Sequence, residues 1–448
     1  MPCTKQPETA KEVWTSEEGS MARETAITRW PGIVQGMIDD LDQSFAHSEV
    51  AEQVEEGRRI QATLRIIKNE ISQDKPLHPL MPDGRSDIDG FNAQLKSFGN
   101  ITWHNAPWLF AECYLYRCVQ TLFGRSTHWR TYDIFARQKV SAFVASHAAV
   151  EELCERYVSL TSAGAFCKTS EEEQALIFSE MTEIALWGNA TDLSLLSHLS
   201  LDQIHSLQGA QAIQAGQARI VSNDMAVAWD HLRSNRGKRV DIVLDNSGFE
   251  LFTDLVYALY LLDAGLASSV KLHVKSIPWF VSDVMPHDMD VLISALADQS
   301  IFPAAKNSSV RTLTERLREA YSKSGVMSIA EHPFWTTGYD FQQMPAVAPE
   351  LLGDLRGSAL VIFKGDLNYR KLVRDANWPH TLPFKQAIGP LVGNKANEGI
   401  KILALRTNKA DVCVGLDEAT LERVEKEAPG KKWVRSGKYA VVSFSDGV

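Results

Sequence analysis

Residues 239–262 read RVDIVLDNSGFELFTDLVYALYLL, and this stretch decides the fold class. RVDIVL (239–244) is a short apolar run with β-branched residues, the pattern of a buried parallel strand. A polar turn, Asp245-Asn246-Ser247-Gly248, follows it, and a helix is expected from about Ser247 to Leu262. The rhythm repeats downstream. VKLHVK (270–275), ALVIF (359–363) and IKILAL (400–405) are further short strands separated by helical stretches. Strands alternating with helices predict a three-layer α/β/α sandwich with a mainly parallel sheet over 236–448. The end of the chain, KKWVRSGKYAVVSFSDGV, reads as a hairpin about Ser436-Gly437 that forms an edge strand pair.

Upstream of residue 236 the pattern is different. VEEGRRIQATLRIIKNEISQ (54–73) and SAFVASHAAVEELCERYVSL (141–160) carry apolar residues at three- and four-residue intervals, so 1–235 reads as a mainly helical region. Gln73 to Gly90 holds Pro76, Pro79, Pro82 and Gly84 and reads as an ordered loop. WHNAPWLFAECYLYR (103–117) reads as an aromatic helix in a core. Glu112 and Arg117 on that helix need either partners or a cleft, and with Trp103 and Trp108 they are candidates for a surface facing the site.

Composition narrows the function classes. Forty-four per cent hydrophobic and 23% charged residues predict a packed core, and no stretch has the roughly 18 uninterrupted apolar residues of a membrane span. The polar N-terminus carries no apolar signal-peptide core, so the cytosol is the expected compartment. Cys3, Cys113, Cys118, Cys154, Cys167 and Cys413 include no CxxC pair and are expected to be free thiols. The net charge of −10, with no basic run beyond short groups such as Arg58-Arg59 and Lys431-Lys432, argues against a nucleic-acid binder. The expected partner is a small molecule.

Ligands of open α/β sheets sit at the carboxyl ends of the strands. Here four strands end in polar clusters: Asp245 to Glu250, Ser276 with the loop to Asp283, Lys364 to Lys371, and Arg406 to Lys409. Any one of them is ordinary turn chemistry, and Asp-Asn-Ser-Gly is a common helix cap. Four on one rim form a site. Asp245, Asn246 and Asp283 offer oxygen ligands, the set that hard divalent cations prefer. Lys364, Arg370, Arg406 and Lys409 bring positive charge suited to a phosphate. Glu250, in the first turn of an apolar helix, is expected to face the cleft. His273 and His287 lack ligand spacing and read as structural or surface residues.

DNSGFELFTDL (245–255), KSIPWFVSD (275–283), KGDLNYRKL (364–372) and RTNK (406–409) resemble the damage-control phosphatase family, in its subfamily with an Arg-Thr-x-Lys signature. WHNAPWLFAECYLYR resembles that subfamily's helical N-terminal half, so the likeness runs over nearly the whole chain. The resemblance implies a divalent metal (Mn²⁺, Co²⁺, Ni²⁺ or Mg²⁺) held by the catalytic residues Asp245, Asn246 and Asp283, with Glu250 beside it. It implies substrate contacts from Asp366, Asn368, Tyr369, Arg370 and Lys409. The substrates it implies are small phosphorylated metabolites, with fructose 1-phosphate and fructose 6-phosphate for this subfamily. On this reading Lys409, helped by Arg370 or Lys364, grips the phosphoryl oxygens, and the nucleophile is either a water on the metal or an aspartate. Ser247 stands where haloacid-dehalogenase phosphatases carry their second aspartate, so their mechanism does not transfer. The alternative is an S-adenosylmethionine-dependent protein-glutamate O-methyltransferase, an activity also described in this subfamily. No GxGxG turn supports it, and the absence of GxxxxGK[ST] argues against a P-loop kinase.

Overall fold

The computed structural model describes residues 10–162, 164, 166, 170–188, 217–395 and 398–448. Cys3 and Cys167 lie outside them, as does the extreme N-terminus. Cys113, Cys154 and Cys413 are buried free thiols, and Cys118 is partly exposed.

One seven-stranded sheet organises the chain: β1 (Ile220–Asn223), β2 (Lys238–Val243), β3 (Ala267–Val274), β4 (Met327–Glu331), β5 (Leu360–Lys364), β6 (Ile402–Thr407) and β7 (Ala440–Ser445). Their spatial order is β1-β7-β6-β5-β2-β3-β4. The pairs from β6 through β5, β2 and β3 to β4 are parallel, whereas β7 runs antiparallel to β6 and β1 parallel to β7. The chain leaves β2 toward β3 and β4, then returns to the other side of β2 as β5. The crevice between β2 and β5 is therefore the topological switch point, where open α/β sheets bind ligands.

The strands are apolar on both faces because both faces are covered. Val240, Ile242, Leu360, Ile362 and Leu403 enter one core with the helix Phe249–Asp263, and Val243, Val361, Phe363 and Ala404 enter the other. A third core is helical. Trp30, Trp103, Trp108, Phe110 and Tyr116 pack there with Ile277, Trp279 and Ala410 from the strand-end loops and Leu367 from the helix Gly365–Leu372 after β5. The helical region thus rests on the carboxyl rim of the sheet.

The four strands read from the sequence are the four central neighbours β6-β5-β2-β3. Two elements were not legible there. β1 has four residues and β4 is only partly buried, so neither makes a long apolar run. The expected C-terminal hairpin is corrected. Lys432–Arg435 is a short helix with Trp433 and Val434 buried, and β7 lies between β6 and β1 rather than at an edge. Pairing with β6 from Ile402↔Ser445 to Thr407↔Ala440 supplies a longer ladder than a local hairpin could. The stretch 141–160 divides at Ser146 into the helices Ala136–Ala145 and His147–Ser162. The aromatic helix runs Trp108–Gly124, because Pro107 fixes its start.

Candidate active site and metal centre

β2 ends one residue before Leu244, and the chain turns through Asp245-Asn246-Ser247-Gly248 into the helix Phe249–Asp263. Gly248 has φ +71°, a left-handed conformation that glycine adopts without a Cβ clash. The loop after β3 returns beside this turn. Val284 N–H donates to Asp245 O (2.9 Å) and Ser247 N–H to Ser282 O (2.6 Å), so Asn246 and Asp283 face each other as an isolated antiparallel bridge. Phe280 and Val281 take φ of +44° and +72°, costly for side chains with a Cβ, and most so for the β-branched valine. Stacking of Phe280 on Tyr116 of the helical region (4.8 Å between centroids) and burial of Trp279 hold that conformation.

The side chains form an acidic centre. Asn246 Nδ2 donates to Asp245 Oδ2 (2.7 Å) and to Glu250 Oε2 (2.8 Å), while its Oδ1 accepts from Ser282 Oγ. Lys275 Nζ lies 3.0 Å from Asp283 Oδ2 and donates to Leu244 O (2.8 Å). Asp245, Glu250, Lys275 and Asp283 are all buried. Burial, then the charges of Asp283 and Glu250, push the Asp245 carboxyl well above the ordinary range, with Lys275 pulling the other way. Asp283 is pushed up to about 6, chiefly by burial, against the pull of Lys275. Lys275 is paired with Asp283 and Lys364 with Glu250, whereas Asp245 has no ion pair among the described residues. From across the crevice Gly365 (φ +82°) approaches so closely that a Cβ there would stand 1.9 Å from Asp245 Oδ2. This oxygen-rich, under-neutralised cluster fits a divalent cation, with Asp245, Asp283 and the Asn246 carbonyl as the donors that would hold it.

The rim beyond it is cationic in composition but largely spent on internal pairs. Lys364 donates to Asp254 Oδ1, Ala185 O and Glu250 Oε1. Arg370 uses Nη1 for Glu112 Oε2 (3.0 Å) and Nη2 for Asp375 Oδ2 (2.7 Å), and its guanidinium lies 3.7 Å from the Trp108 ring centroid. Arg406 donates to Asp366 Oδ1 (2.8 Å) and to the carbonyls of Ala410 and Val412. Burial would raise Asp366, but Arg406 and Arg370 outweigh it and hold the carboxyl below its usual value. Asp366 Oδ1 also accepts from the Lys409 backbone N–H (3.0 Å), which fixes the loop on which half-buried Lys409 stands.

The damage-control phosphatase ARMT1-like domain matches residues 25–424 of this chain. The chain belongs to that family. Proteins named damage-control phosphatase ARMT1 from Xenopus tropicalis and Danio rerio are 36% and 33% identical to it, each over 96% of this chain and over 98% and 95% of their own. The human protein of that name is 33% identical over 95% of this chain and 96% of its own. A solved DUF89-family protein from Pyrococcus horikoshii superposes on 89% of the chain, and 93% of its own, at a TM-score of 0.41 and 12% identity.

Within the family motifs, the structure brings Asp245, Asn246, Glu250 and Asp283 together and spends others on the scaffold. Asn368 Nδ2 donates to the carbonyls of Val243, Leu244 and Lys364, tying β2 to β5. Tyr369 OH bonds the backbone of Val414 and its ring lies under Arg406. Lys364, Arg370 and Arg406 do not stand as open phosphate clamps, because a buried charge needs a partner and each has found carboxylates. Lys275, Ser282 and Gly365 lie inside the quoted motifs, yet no role follows for them from the sequence pattern. Glu112 and Asp375 could be linked to Arg370 only through tertiary structure.

One further cluster has ligand geometry. Among the described residues, Asp133, His287 and Asp288 are the one group of three His, Cys or acidic side chains whose ligand atoms lie mutually within 4.8 Å. His287, read from the sequence as structural or surface, is thus part of a possible ligand set. Lys139 already places its ammonium 2.9 Å from Asp133 and 2.8 Å from Asp288, however, so this cluster holds a cation of its own. His287 and Lys139 outweigh burial and keep Asp133 below its ordinary value. Its electrostatics are the reverse of those at Asp245.

Proposed function

We propose that this chain is a metal-dependent phosphatase hydrolysing phosphomonoesters of small metabolites, with its metal at Asp245, Asn246 and Asp283. The observation that carries this reading is the crevice between β2 and β5, where the buried Asp245 carboxylate has no ion pair among the described residues, because Lys275 is paired with Asp283 and Lys364 with Glu250 and Asp254. Family membership over residues 25–424 supports the reaction class. A bound divalent ion supplies Lewis-acid stabilisation to phosphoryl oxygens.

The residues around it divide the remaining work. Asp245 and Asp283 hold the ion, Lys275 offsets part of the charge on Asp283, and Glu250 keeps the Asn246 amide in place. Asp366 and Arg406 shape the 406–412 loop, from which Lys409 meets the substrate phosphate. Arg370, braced by Glu112, Asp375 and Trp108, sets the polarity of the adjoining wall. The substrates we favour are fructose 1-phosphate and fructose 6-phosphate, and the metals Mn²⁺, Co²⁺, Ni²⁺ or Mg²⁺. No described helix is long and apolar enough to cross a membrane, and we place the protein in the cytosol acting on free metabolites.

The test is phosphate release from a panel of sugar phosphates after chelator treatment and metal restoration. Metal-dependent release that falls about a thousandfold or more in Asp245→Ala, with the fold intact by circular dichroism, is the expected result. Folded wild-type protein that releases no phosphate with any of the four metals refutes the assignment.

A further inference from the structure

Lys364 ends β5 and points into the molecule rather than toward a ligand. Its side chain is 1% exposed, and its ammonium donates to Asp254 Oδ1 (2.6 Å), Ala185 O (2.7 Å) and Glu250 Oε1 (3.2 Å). An ammonium has three protons, and all three have acceptors here. Ala185 belongs to the last turn of the helix Glu171–Trp187, whose final carbonyls lack intrahelical partners and form the negative end of the helix dipole. Lys364 therefore joins that helix, the helix Phe249–Asp263 and the end of β5. The junction is tight: a Cβ on Gly188 would stand 2.2 Å from Thr253 Oγ1 and 3.3 Å from Glu250 Cα.

The contacts continue to the acidic centre. Glu250 receives Lys364 on Oε1 and the Asn246 amide on Oε2 (2.8 Å), and the same amide donates to Asp245 Oδ2 (2.7 Å). This makes an unbroken series: Asp254, Lys364, Glu250, Asn246, Asp245. To reach a phosphate, Lys364 would have to abandon Asp254 Oδ1. Asp254 is fully buried, and its Oδ2 already has no donor. An unpaired buried carboxylate is expensive enough to oppose that movement.

We propose that Lys364 is a positioning residue for the metal centre: with Asp254 as its counter-charge it fixes Glu250, and through Glu250 the orientation of Asn246 against Asp245. The inference rests on the reading of Asp245, Asn246 and Asp283 as the cation site. It assigns Lys364 a task different from the phosphate grip that its place on the strand-end rim suggests.

Sign separates this role from simple electrostatics. Removing a positive charge near a cation site strengthens cation binding if charge alone matters, whereas losing a positioning residue weakens it. The experiment is calorimetric titration of Mn²⁺ into chelator-treated full-length protein. Lys364→Met should weaken Mn²⁺ binding about tenfold or more, the usual cost of losing an outer-shell partner. Asp254→Asn added to Lys364→Met removes the stranded carboxylate, so thermal stability should return toward wild type while Mn²⁺ affinity stays low. In a Glu250→Gln background, Lys364→Met should change affinity less than about twofold, because the connection is already cut. Unchanged or tighter Mn²⁺ binding in folded Lys364→Met overturns the proposal, as does affinity restored by Asp254→Asn or a full additive loss in Glu250→Gln. A raised KM for phosphoesters with unaltered Mn²⁺ affinity would return Lys364 to the phosphate grip. If wild-type protein binds no Mn²⁺, the metal site itself fails, an outcome distinct from equal binding by wild type and variant.

Discussion

Two buried charge clusters in this chain have opposite balances. On the aromatic helix, Arg117 gives Asp83 and Asp87 four hydrogen bonds of 2.7–3.0 Å, and all three side chains are buried. Burial would raise Asp83, but Arg117 and the Arg85 backbone outweigh it and bring the carboxyl below its ordinary value. At the strand-end crevice, Lys275 pairs with Asp283 and Lys364 with Glu250 and Asp254, Asp245 has no ion pair among the described residues, and Asp245 and Asp283 are raised. The first cluster is complete as folded. The second is left short of positive charge, at a position where the topology already favours ligands. Burial of charge alone does not mark a functional site; incomplete compensation does.

The contrast breaks most visibly through paired substitutions. Arg117→Met strands two buried carboxylates and should cost about 3–5 kcal/mol in denaturant unfolding. Asp245→Asn relieves like-charge repulsion and should instead raise the melting temperature of the metal-free protein by a few degrees, roughly 1 kcal/mol. Destabilisation of the metal-free protein by both substitutions to a similar extent would erase the distinction. Gly365→Ala comes next. Its methyl group would overlap Asp245 Oδ2 at 1.9 Å, so Mn²⁺ affinity by calorimetry should fall about 10–100-fold with little loss of secondary structure. Full affinity in that variant would remove Gly365 from the crevice's design.

The smallest effect concerns pH. Asp283 is raised to about 6, so the metal-free fold holds this proton more tightly than the unfolded chain does. As pH rises through about 4 to 6, this group therefore subtracts stability from the metal-free protein. Metal binding needs the carboxylate, so the titration of Asp283 should raise Mn²⁺ affinity about tenfold from pH 5 to pH 7, and the raised Asp245 acts in the same direction. Affinity that stays flat across this window would mean that the two carboxylates are not raised in the metal-free protein.

The cause of the imbalance is legible only in part from residue order. Local pattern exposes β2, β3, β5 and β6 because each is short, apolar and followed by polar residues, and strands covered on both faces need that composition. It misses β1 and β4, whose partial exposure and brevity leave no distinctive run, and it misreads the C-terminal hairpin because β7 found a better partner in β6. Within the site, the pattern marks Asp245, Asn246, Glu250 and Asp283 as strand-end polar residues. It offers nothing on how Lys364, Arg370 and Arg406 are spent.

By itself, then, the sequence determined the class of fold, the crowding of charged residues at four strand ends and the family motifs, since periodicity and strand-end composition are local properties. Tertiary structure decided which charges cancel. Arg370 meets Glu112 across 258 positions, Lys364 meets Ala185 across 179, and Arg85 meets Ser276 across 191. A buried charge must be neutralised by whatever the fold brings within about 3 Å, and no spacing rule along the chain encodes that partner. The strand order set the crevice between β2 and β5, and the pairing around it left the Asp245 centre short of positive charge.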